Sequence, residues 1–357
     1  MGASILLLPG DGIGPEVIEQ ARLVLVQVSE AAGGLKISTA DFGGAAIEKH
    51  GDPLPQATLQ AARQADGVLL GAVGAPQFDQ LPQDKRPEKG LLRLRQELEV
   101  FANLRPARAR PALADSSPLR TQLVADLDVL VVRELTGGIY FGSPRGFAGE
   151  GEKRCGFNTM RYTVGEINRI AKVAFAAAGR RSGRLCSVDK ANVLEVSSLW
   201  RETVSALSGD YPQVELSHMY VDNAAMQLAA NPGQFDVIVT GNLFGDILSD
   251  LAAILAGSIG MLPSASLDAA GRGLYEPVHG SAPDLAGCDQ ANPCAAILSA
   301  AMMLRFSIGA KDVADAIESA VDKALASGVR TADIAADADQ ACSCRQMGEA
   351  IRENISL

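Results

Sequence analysis

The chain has 357 residues, of which 47% are hydrophobic and 21% are charged. This composition is typical of globular proteins and excludes collagen-like and intrinsically disordered chains. Because 42 Asp and Glu outnumber 32 Lys and Arg, the net charge is -10, which disfavours phosphate backbones and anionic lipid as partners. We therefore expect a folded protein that binds no nucleic acid and no membrane.

The six cysteines form no C-x-x-C pair and there are only three histidines, so the sequence does not predict a zinc site. The start, MGASILLLPGDG, lacks the basic region and the long apolar run of a signal peptide. No apolar stretch approaches the roughly 18 residues that suggest a membrane span. These features predict a cytoplasmic protein with reduced thiols.

Short apolar runs alternate with longer segments of helical periodicity, which predicts an α/β fold with largely buried strands. The predicted strands are residues 5–8, 68–70, 129–132, 185–188, 215–219 and 237–240. The predicted helices are residues 15–32, 54–64, 89–100, 165–178, 196–207, 223–230, 242–255, 293–306, 313–326 and 345–354.

The first motif, LPGDGIGPE at residues 8–16, places glycines between a strand and a helix. Its spacing is G-x-G-x-G-P and therefore differs from the G-x-G-x-x-G of dinucleotide-binding proteins. A tight strand-to-helix turn that requires glycine explains it equally well.

A basic segment follows at residues 85–110, where eight Lys and Arg face three Glu. It is either a solvated helix face with ion pairs or an anion pocket. In the second case Arg95, Arg105 and Arg133, the last at the end of a predicted strand, supply guanidiniums for two carboxylates of a small substrate.

Three further motifs each place one reactive side chain beside a predicted strand or helix. Tyr140 follows a glycine-rich loop and is either an aromatic anchor or a proton donor. Lys190 ends a strand, where a solubilising charge is the simpler interpretation. Asp222 is predicted at a helix N-cap, and capping alone would explain it.

The segment GNLFGDILSD, residues 241–250, places Asp246 and Asp250 four residues apart on one helix face. Two such carboxylates repel each other unless a cation lies between them. An all-oxygen site favours Mg²⁺ or Mn²⁺, although Asp246 also suits the helix dipole. The last motif, YEPVHGSAPD at residues 275–284, is otherwise a loop rich in turn-forming residues.

Taken in order, the motifs resemble the isocitrate/isopropylmalate dehydrogenase family of β-decarboxylating dehydrogenases over essentially the whole chain. The matching strings are GDGIGPE, FANLRPAR, VRELTGGIYFG, SVDKANVL, MYVDNAAMQL, GNLFGDILSD, GSIGMLPSASL and EPVHGSAPDLAG. The resemblance implies an α/β fold that is not a Rossmann fold, with a large mixed sheet flanked by helices. It also implies two domains around one cleft, residues 1–100 plus 257–357 and residues 101–256, the second carrying the dimer interface, an arm at 142–162 and the metal ligands.

The resemblance also implies a role for each candidate residue. Lys190, supplied across a homodimer with shared active sites, accepts the proton of the substrate hydroxyl, and Tyr140 reprotonates the enol. The carboxylate clamps are Arg95, Arg105 and Arg133. The ligands of Mg²⁺ or Mn²⁺ are Asp246 and Asp250, joined by Asp222 of the partner subunit, which also approaches the substrate. The residues implied to bind NAD are Glu88, Asn192, His279, Gly280, Ser281, Ala282, Pro283, Asp284 and Asn292.

Leu91 and Leu92 indicate the substrate, because they offer only hydrocarbon where isocitrate enzymes of the family place polar residues. The implied reaction is NAD-dependent oxidative decarboxylation of 3-isopropylmalate to 4-methyl-2-oxopentanoate in leucine biosynthesis. The alternatives are a D-malate or tartrate dehydrogenase of the same family and a non-catalytic regulatory subunit.

Overall fold

The computed structural model describes residues 2–82, 85–117, 119–124, 127–255 and 257–357. Ala256, the last residue of the second predicted domain, lies outside these ranges, as does Met1 of the first. Within them, no helix has the length and apolar content needed to cross a bilayer.

Twelve strands and twelve α-helices are described. The strands are β1 Ala3–Gly10, β2 Leu35–Thr39, β3 Gly67–Ala72, β4 Ala102–Arg108, β5 Asp128–Glu134, β6 Arg145–Ala148, β7 Cys155–Asn158, β8 Arg184–Asp189, β9 Glu215–Tyr220, β10 Val237–Thr240, β11 Pro263–Leu267 and β12 Gly273–Pro277. The helices are α1 Gly14–Gln27, α2 Gly44–His50, α3 Gln56–Gln64, α4 Pro87–Glu97, α5 Thr121–Val124, α6 Val164–Gly179, α7 Glu195–Leu207, α8 Val221–Ala230, α9 Asn242–Leu255, α10 Cys294–Met303, α11 Lys311–Ala326 and α12 Cys344–Glu353.

Ten strands form one sheet in the order β2-β1-β3-β12-β11-β4-β5-β10-β8-β9. Pairing is antiparallel from β12 through β11 and β4 to β5, and parallel elsewhere. The predicted large mixed sheet flanked by helices is therefore confirmed. Strands of the first predicted domain occupy one half and those of the second the other half, and the two halves meet where β11 pairs with β4. The division into domains stays a prediction.

The sheet has two unlike faces. On the back face, which we define by the side chains of Leu104 and Val132, one apolar cluster runs continuously beneath α1, α6, α7, α10, α11 and α12. On the opposite cleft face, defined by Arg105 and Arg133, the core is divided into one cluster under α3 and α4 and another under α8 and α9. A polar gap therefore crosses the middle of the cleft face.

All six predicted strands are confirmed, but several elements were missed. The predicted helix 15–32 ends at Gln27, because Ser29 accepts bonds from Gly34 N through its carbonyl and from Leu35 N through its hydroxyl, each 2.8 Å long. The predicted helix 89–100 ends at Glu97, since Glu99 adopts a left-handed φ of 52°. Among the missed strands, β4 escapes detection because charged residues and a proline interrupt its apolar positions.

The predicted N-cap at Asp222 is wrong. The residue before α8 is Tyr220, and no side chain caps this helix. Asp222 lies in the first turn instead, where its carboxylate receives a bond from Lys190. An ion pair with a distant strand end has thus taken the place of the local capping interaction.

Asp236 joins the end of α6 to the start of β10, and its effect on stability should depend on pH. Burial opposes ionisation, but bonds from Ser182 and Arg181 outweigh it and lower the pKa of Asp236 below the usual 3.8. The carboxylate therefore stabilises the fold above the pKa of the unfolded chain, and this contribution is lost as pH falls through the lower folded value.

We expect Asp236→Asn to reduce the free energy of unfolding by about 2 kcal/mol at pH 7, and by progressively less below about pH 4. Urea unfolding across this range measures the change, with Asp79→Asn at an exposed position as the control. A penalty that stays constant down to pH 3 would contradict the assignment.

Candidate active site

Three arginines from different elements meet in the polar gap of the cleft face. Arg105 lies on β4 and Arg133 on β5, and the register places Asn103 opposite Arg133, so alternation sends both guanidiniums to the same side. Arg95 reaches them from α4, and its Nη2 lies 2.5 Å from Oε1 of Glu276 on β12. The side chains of Arg95, Arg105 and Arg133 are only 11%, 13% and 2% exposed. The structure therefore brings the three arginines together in one buried cluster, and their role as an anion pocket stays a prediction.

Arg133 is the most deeply buried of the three and is fixed from two sides. Its Nε and Nη2 donate to Oδ1 of Asn242 over 3.1 and 2.7 Å, and its Nη1 is paired with Asp246. Asn242 in turn donates to the carbonyls of Leu135 and Gly137 at 3.0 and 3.2 Å. The guanidinium thus has a defined orientation.

Arg105 bridges the two acidic residues of α9. Its Nη1 lies 2.9 Å from Asp250 Oδ1 and 3.4 Å from Asp246 Oδ1, and it also donates to Ser249 Oγ at 2.8 Å. The sequence requires a cation between these carboxylates, and here a guanidinium provides it. Their like charges are therefore compensated within the chain.

The charges in this cluster alter one another's pKa. Burial, followed by the nearby charge of Arg105, lowers the pKa of Arg133 to about 10, so it still carries its proton at neutral pH. Burial alone would raise the pKa of Asp246, but Arg133 and Arg105 outweigh it and hold the pKa below its usual value. Burial and the charge of Asp246 raise the pKa of Asp250. The two carboxylates therefore differ in their affinity for protons.

Tyr140 reaches the same cluster from the 3₁₀ turn Gly138–Tyr140 that follows β5. Its hydroxyl donates to Asp246 Oδ2 over 3.0 Å. Burial, and then the negative charge of Asp246, raise the pKa of Tyr140. The phenol therefore keeps its proton at neutral pH, as a proton donor must.

Lys190 and Asp222 form a separate ion pair at the carboxyl end of β8 and the start of α8. Lys190 Nζ lies 2.5 Å from Asp222 Oδ1, and the Asp222 side chain is 63% exposed. Among the described residues, the three side chains close enough together to hold a metal ion are Glu16, Asp289 and Cys344, so Asp222 does not join Asp246 and Asp250 within one chain. Lys190 and Asp222 thus form a second patch of predicted site residues, apart from the arginine cluster and facing outward.

The loop predicted to bind the cofactor packs on the glycine-rich turn after β1. The Ser281 carbonyl accepts a bond from Ile13 N at 2.9 Å, and Ala282 adopts a left-handed φ of 38°. His279 Nδ1 lies 2.9 Å from the Gly280 carbonyl, and burial lowers the pKa of this histidine. The histidine is therefore neutral at pH 7.

The other predicted cofactor residues differ in exposure. Pro283, Asp284, Glu88 and Asn192 are exposed and accessible to a ligand. Asn292 is buried, and its amide group is held by Asp333 Oδ2 at 3.0 Å and by Cys294 N at 3.0 Å. These bonds give Asn292 a structural role in fixing the end of the loop before α10.

Leu91 and Leu92 share the face of α4 that carries Arg95, since they precede it by four and three residues. Glu88 continues the same face one turn earlier. The adjacent side of the helix, including Leu94, is buried against the core, and Leu91 packs partly buried against the same apolar cluster. The two leucines therefore line the helix surface that adjoins the arginine cluster.

Sequence reasoning missed three residues that position the arginines. They are Asn242, Ser249 and Glu276, which hold Arg133, Arg105 and Arg95. All three lie inside motifs that the sequence analysis had marked for other residues. Their polarity within buried helix and strand positions was the available signal.

The comparisons with known proteins agree with one another. The family model for isocitrate/isopropylmalate dehydrogenase matches residues 4–351. The chain is 61% identical to the 3-isopropylmalate dehydrogenase of Hahella chejuensis over 98% of both chains, and 60% identical to that of Synechocystis sp. over 97% of this chain and 96% of the relative. The isocitrate dehydrogenase of Methylococcus capsulatus superposes with a TM-score of 0.86 at 37% identity over 99% of each chain.

We expect Asn242→Ala to destabilise the protein, because Nε and Nη2 of the buried Arg133 guanidinium and the carbonyls of Leu135 and Gly137 lose the bonds that this amide makes. The predicted loss is about 2–4 kcal/mol in the free energy of unfolding, measured with urea. Asn231→Ala, at the end of α8, is the control and should cost under about 1 kcal/mol. Equal losses in the two variants would show that Arg133 does not depend on this amide.

Proposed function

The chain belongs to the isocitrate/isopropylmalate dehydrogenase family, and from this premise we propose that it catalyses the NAD-dependent oxidative decarboxylation of (2R,3S)-3-isopropylmalate. The products are 4-methyl-2-oxopentanoate and CO₂, and the reaction is a step of leucine biosynthesis. The observation that carries the proposal is the buried arginine cluster beside two leucines of α4. Six free cysteines agree with a reducing, cytoplasmic location.

Arg95, Arg105 and Arg133 bind the two carboxylates of the malate moiety. Arginine suits this role because its planar fork pairs with both oxygens of a carboxylate. In the chain by itself, these guanidiniums are neutralised by Glu276, Asp246 and Asp250. Since Asp250 is 55% exposed, its pairing with Arg105 is the one most readily exchanged for a ligand.

Leu91 and Leu92 select the third substituent of the substrate. A third carboxylate, as in isocitrate, would be buried against hydrocarbon at a cost of several kcal/mol. An isopropyl group instead gains about 0.8 kcal/mol for each buried carbon. Discrimination therefore comes mainly from the penalty on the charged competitor.

The carboxylates of Asp246 and Asp250 fit Mg²⁺ or Mn²⁺ because their oxygens are hard ligands, and the ion would replace the Arg105 guanidinium as the counter-charge of the pair. Asp222 of the partner subunit completes the ligand set. When bound, the ion stabilises the negative charge that develops on the substrate as CO₂ leaves.

Two side chains move protons. Lys190 of the partner subunit accepts the proton of the C2 hydroxyl as C2 is oxidised, and Tyr140 delivers a proton to C3 after CO₂ has left. Tyr140 suits the second step because its raised pKa keeps the phenol protonated. NAD, when bound, supplies the hydride acceptor.

The NAD site comprises the loop from His279 to Asp284, with Glu88 and Asn192 toward the nicotinamide. The exposed Asp284 carboxylate suits the ribose hydroxyls and would repel the additional phosphate of NADP. The bonded Asn292 supports the loop from beneath.

A homodimer would bring the two patches of the site together. Along α9, Ile247 and Ile254 are 56% and 54% exposed and share a helix face with Leu251, while Met226 on α8 is 62% exposed. An apolar stripe of this kind is typical of an interface between subunits. Asp250 adjoins the stripe, so a partner docked there would approach the metal ligands.

The alternative of a regulatory subunit is disfavoured because Tyr140 and Lys190 are both present. D-malate and tartrate lack the isopropyl group, so a dehydrogenase specific for either substrate would gain no binding energy from the leucines of α4. Both alternatives remain as outcomes of the assay below.

We expect NADH formation from 3-isopropylmalate with NAD and Mg²⁺ or Mn²⁺, measured by absorbance, and its loss on addition of EDTA. Isocitrate should give a kcat/KM at least about 100-fold lower, since burying its third carboxylate costs several kcal/mol. D-malate and tartrate lack the isopropyl group and should each give a value roughly 50-fold lower, because about 2.4 kcal/mol of apolar burial is lost. Replacing NAD by NADP should lower activity, because the Asp284 carboxylate would repel the additional phosphate of NADP. Turnover of D-malate or tartrate alone would indicate the paralogous enzyme, and no turnover of any substrate would indicate the regulatory subunit.

Complementation tests the shared site. Lys190→Ala and Asp250→Asn should each be inactive, but a hybrid dimer of the two contains one site with every residue intact. Random mixing after mild denaturation should restore about a quarter of the parent activity, because half of the dimers are hybrids with one working site each. Mixing Lys190→Ala with the double variant that carries both changes is the control and should restore none. Absence of recovery despite hybrid dimers on a native gel would place Lys190 in its own chain's site.

A further inference from the structure

A groove with a volume of about 600 Å³ lies on the back face of the sheet, between α6 and α10. Leu104 and Pro106 of β4 line this groove, whereas Arg105 between them faces the cleft. Strand alternation therefore separates the groove from the candidate active site by the thickness of the sheet. Its size is within the range of small-molecule sites.

The floor of the groove is apolar and draws on both halves of the sheet. Leu130 comes from β5, Leu267 from β11, and Met302 from α10. At one end Phe306 remains 39% exposed, although it lies beside the continuous back-face core. Apolar surface left open in a concave site is typical of ligand binding.

The rim of the groove carries five arginines, and three of them are neutralised. Arg110 is paired with Asp322, Arg181 with Asp128 and Asp236, and Arg305 with Asp315 and Glu318. These pairs contain five carboxylates, which equal the five rim arginines in number, so the described rim is neutral as a whole and the other two arginines differ only in lacking a direct ion pair.

Arg108, at the end of β4, and Arg180, just after α6, are exposed and have no carboxylate within 4.0 Å in the part of the chain that the structure describes. Asp128 connects the two positions. It is opposite Arg108 in the β4–β5 register, and its carboxylate pairs with Arg181, the residue that follows Arg180. The groove thus presents two unpaired guanidiniums beside hydrocarbon in a chain whose net charge is -10.

We propose that this groove binds an amphiphilic organic anion, namely an aliphatic carboxylate whose chain lies on the floor and whose head group pairs with Arg108 and Arg180. Guanidinium forks favour a carboxylate, and they repel a cationic amphiphile of the same length. The apolar floor excludes small, strongly hydrated anions as the preferred ligand, because these would leave the hydrocarbon surface in water. The ligand contacts both halves of the sheet where β4 pairs with β11.

The test is calorimetric titration of the full chain with decanoate, with octanoate, hexanoate and decyltrimethylammonium as comparison ligands. Affinity should rise about fourfold for each added CH₂, because each one buries further hydrocarbon. Decanoate affinity should fall with added salt, and the cationic amphiphile should not bind.

Two variants locate the site without touching the active-site cleft. Ala177→Trp on α6 should fill the groove and weaken decanoate at least about tenfold, whereas Ala177→Ser should not. Arg108→Gln combined with Arg180→Gln should weaken decanoate about tenfold. The control with the same change of charge, Arg22→Gln combined with Lys36→Gln, should retain the parent affinity. Circular dichroism and the thermal midpoint verify that each variant is folded.

Decanoate binding that is unchanged by Ala177→Trp and by the Arg108/Arg180 pair would assign the ligand to another surface and overturn the proposal. So would an affinity that is independent of chain length, since that would indicate attraction to charge alone. These results do not depend on turnover, and they therefore stand apart from the test of the proposed reaction.

Discussion

The buried guanidinium of Arg133 is the constraint on which the candidate site depends. A charge that is 2% exposed is tolerated only when it is fully paired, and here Asn242 and Asp246 provide the partners. The same packing dictates glycine at position 245, because a Cβ there would lie 2.7 Å from the Arg133 side chain. Helix α9 can therefore approach β5 closely enough to bring its two carboxylates to the arginines.

The division of the core on one face of the sheet creates room for this cluster. On the back face a continuous apolar cluster joins the two halves, while on the cleft face the strands between the clusters carry polar side chains such as Asn103, Ser266 and Glu276. Desolvating these groups is acceptable because each has a partner: Asn103 and Ser266 bond each other across the sheet, and Glu276 pairs with Arg95 of α4. The two halves of the sheet are thus connected by a continuous apolar core on the back face and separated by an open polar cleft on the other face.

One chain holds the arginines, Tyr140 and the α9 carboxylates together, but it directs Lys190 and Asp222 elsewhere. The exposed apolar stripe beside Asp250 gives a physical reason for a second subunit to dock there. In the proposed homodimer, catalysis and assembly would be linked, because the surface that buries the stripe would also complete the site. Variants that weaken the dimer would consequently lose activity as well as stability.

Local periodicity and strings of neighbouring residues were enough to predict the α/β class, the buried strands, most helices and the family. The same strings singled out the three arginines and the paired aspartates as candidate site residues. The three-dimensional structure was needed to show that Arg105 lies between Asp246 and Asp250, that Glu276 holds Arg95, and that Asp222 pairs with Lys190 instead of capping its helix. The structure was also needed to locate β4 at the junction of the two halves, because polar residues obscure the apolar pattern of this strand in the sequence. Such contacts join residues far apart in the chain, and their geometry is set by strand register and helix packing, which no local pattern encodes.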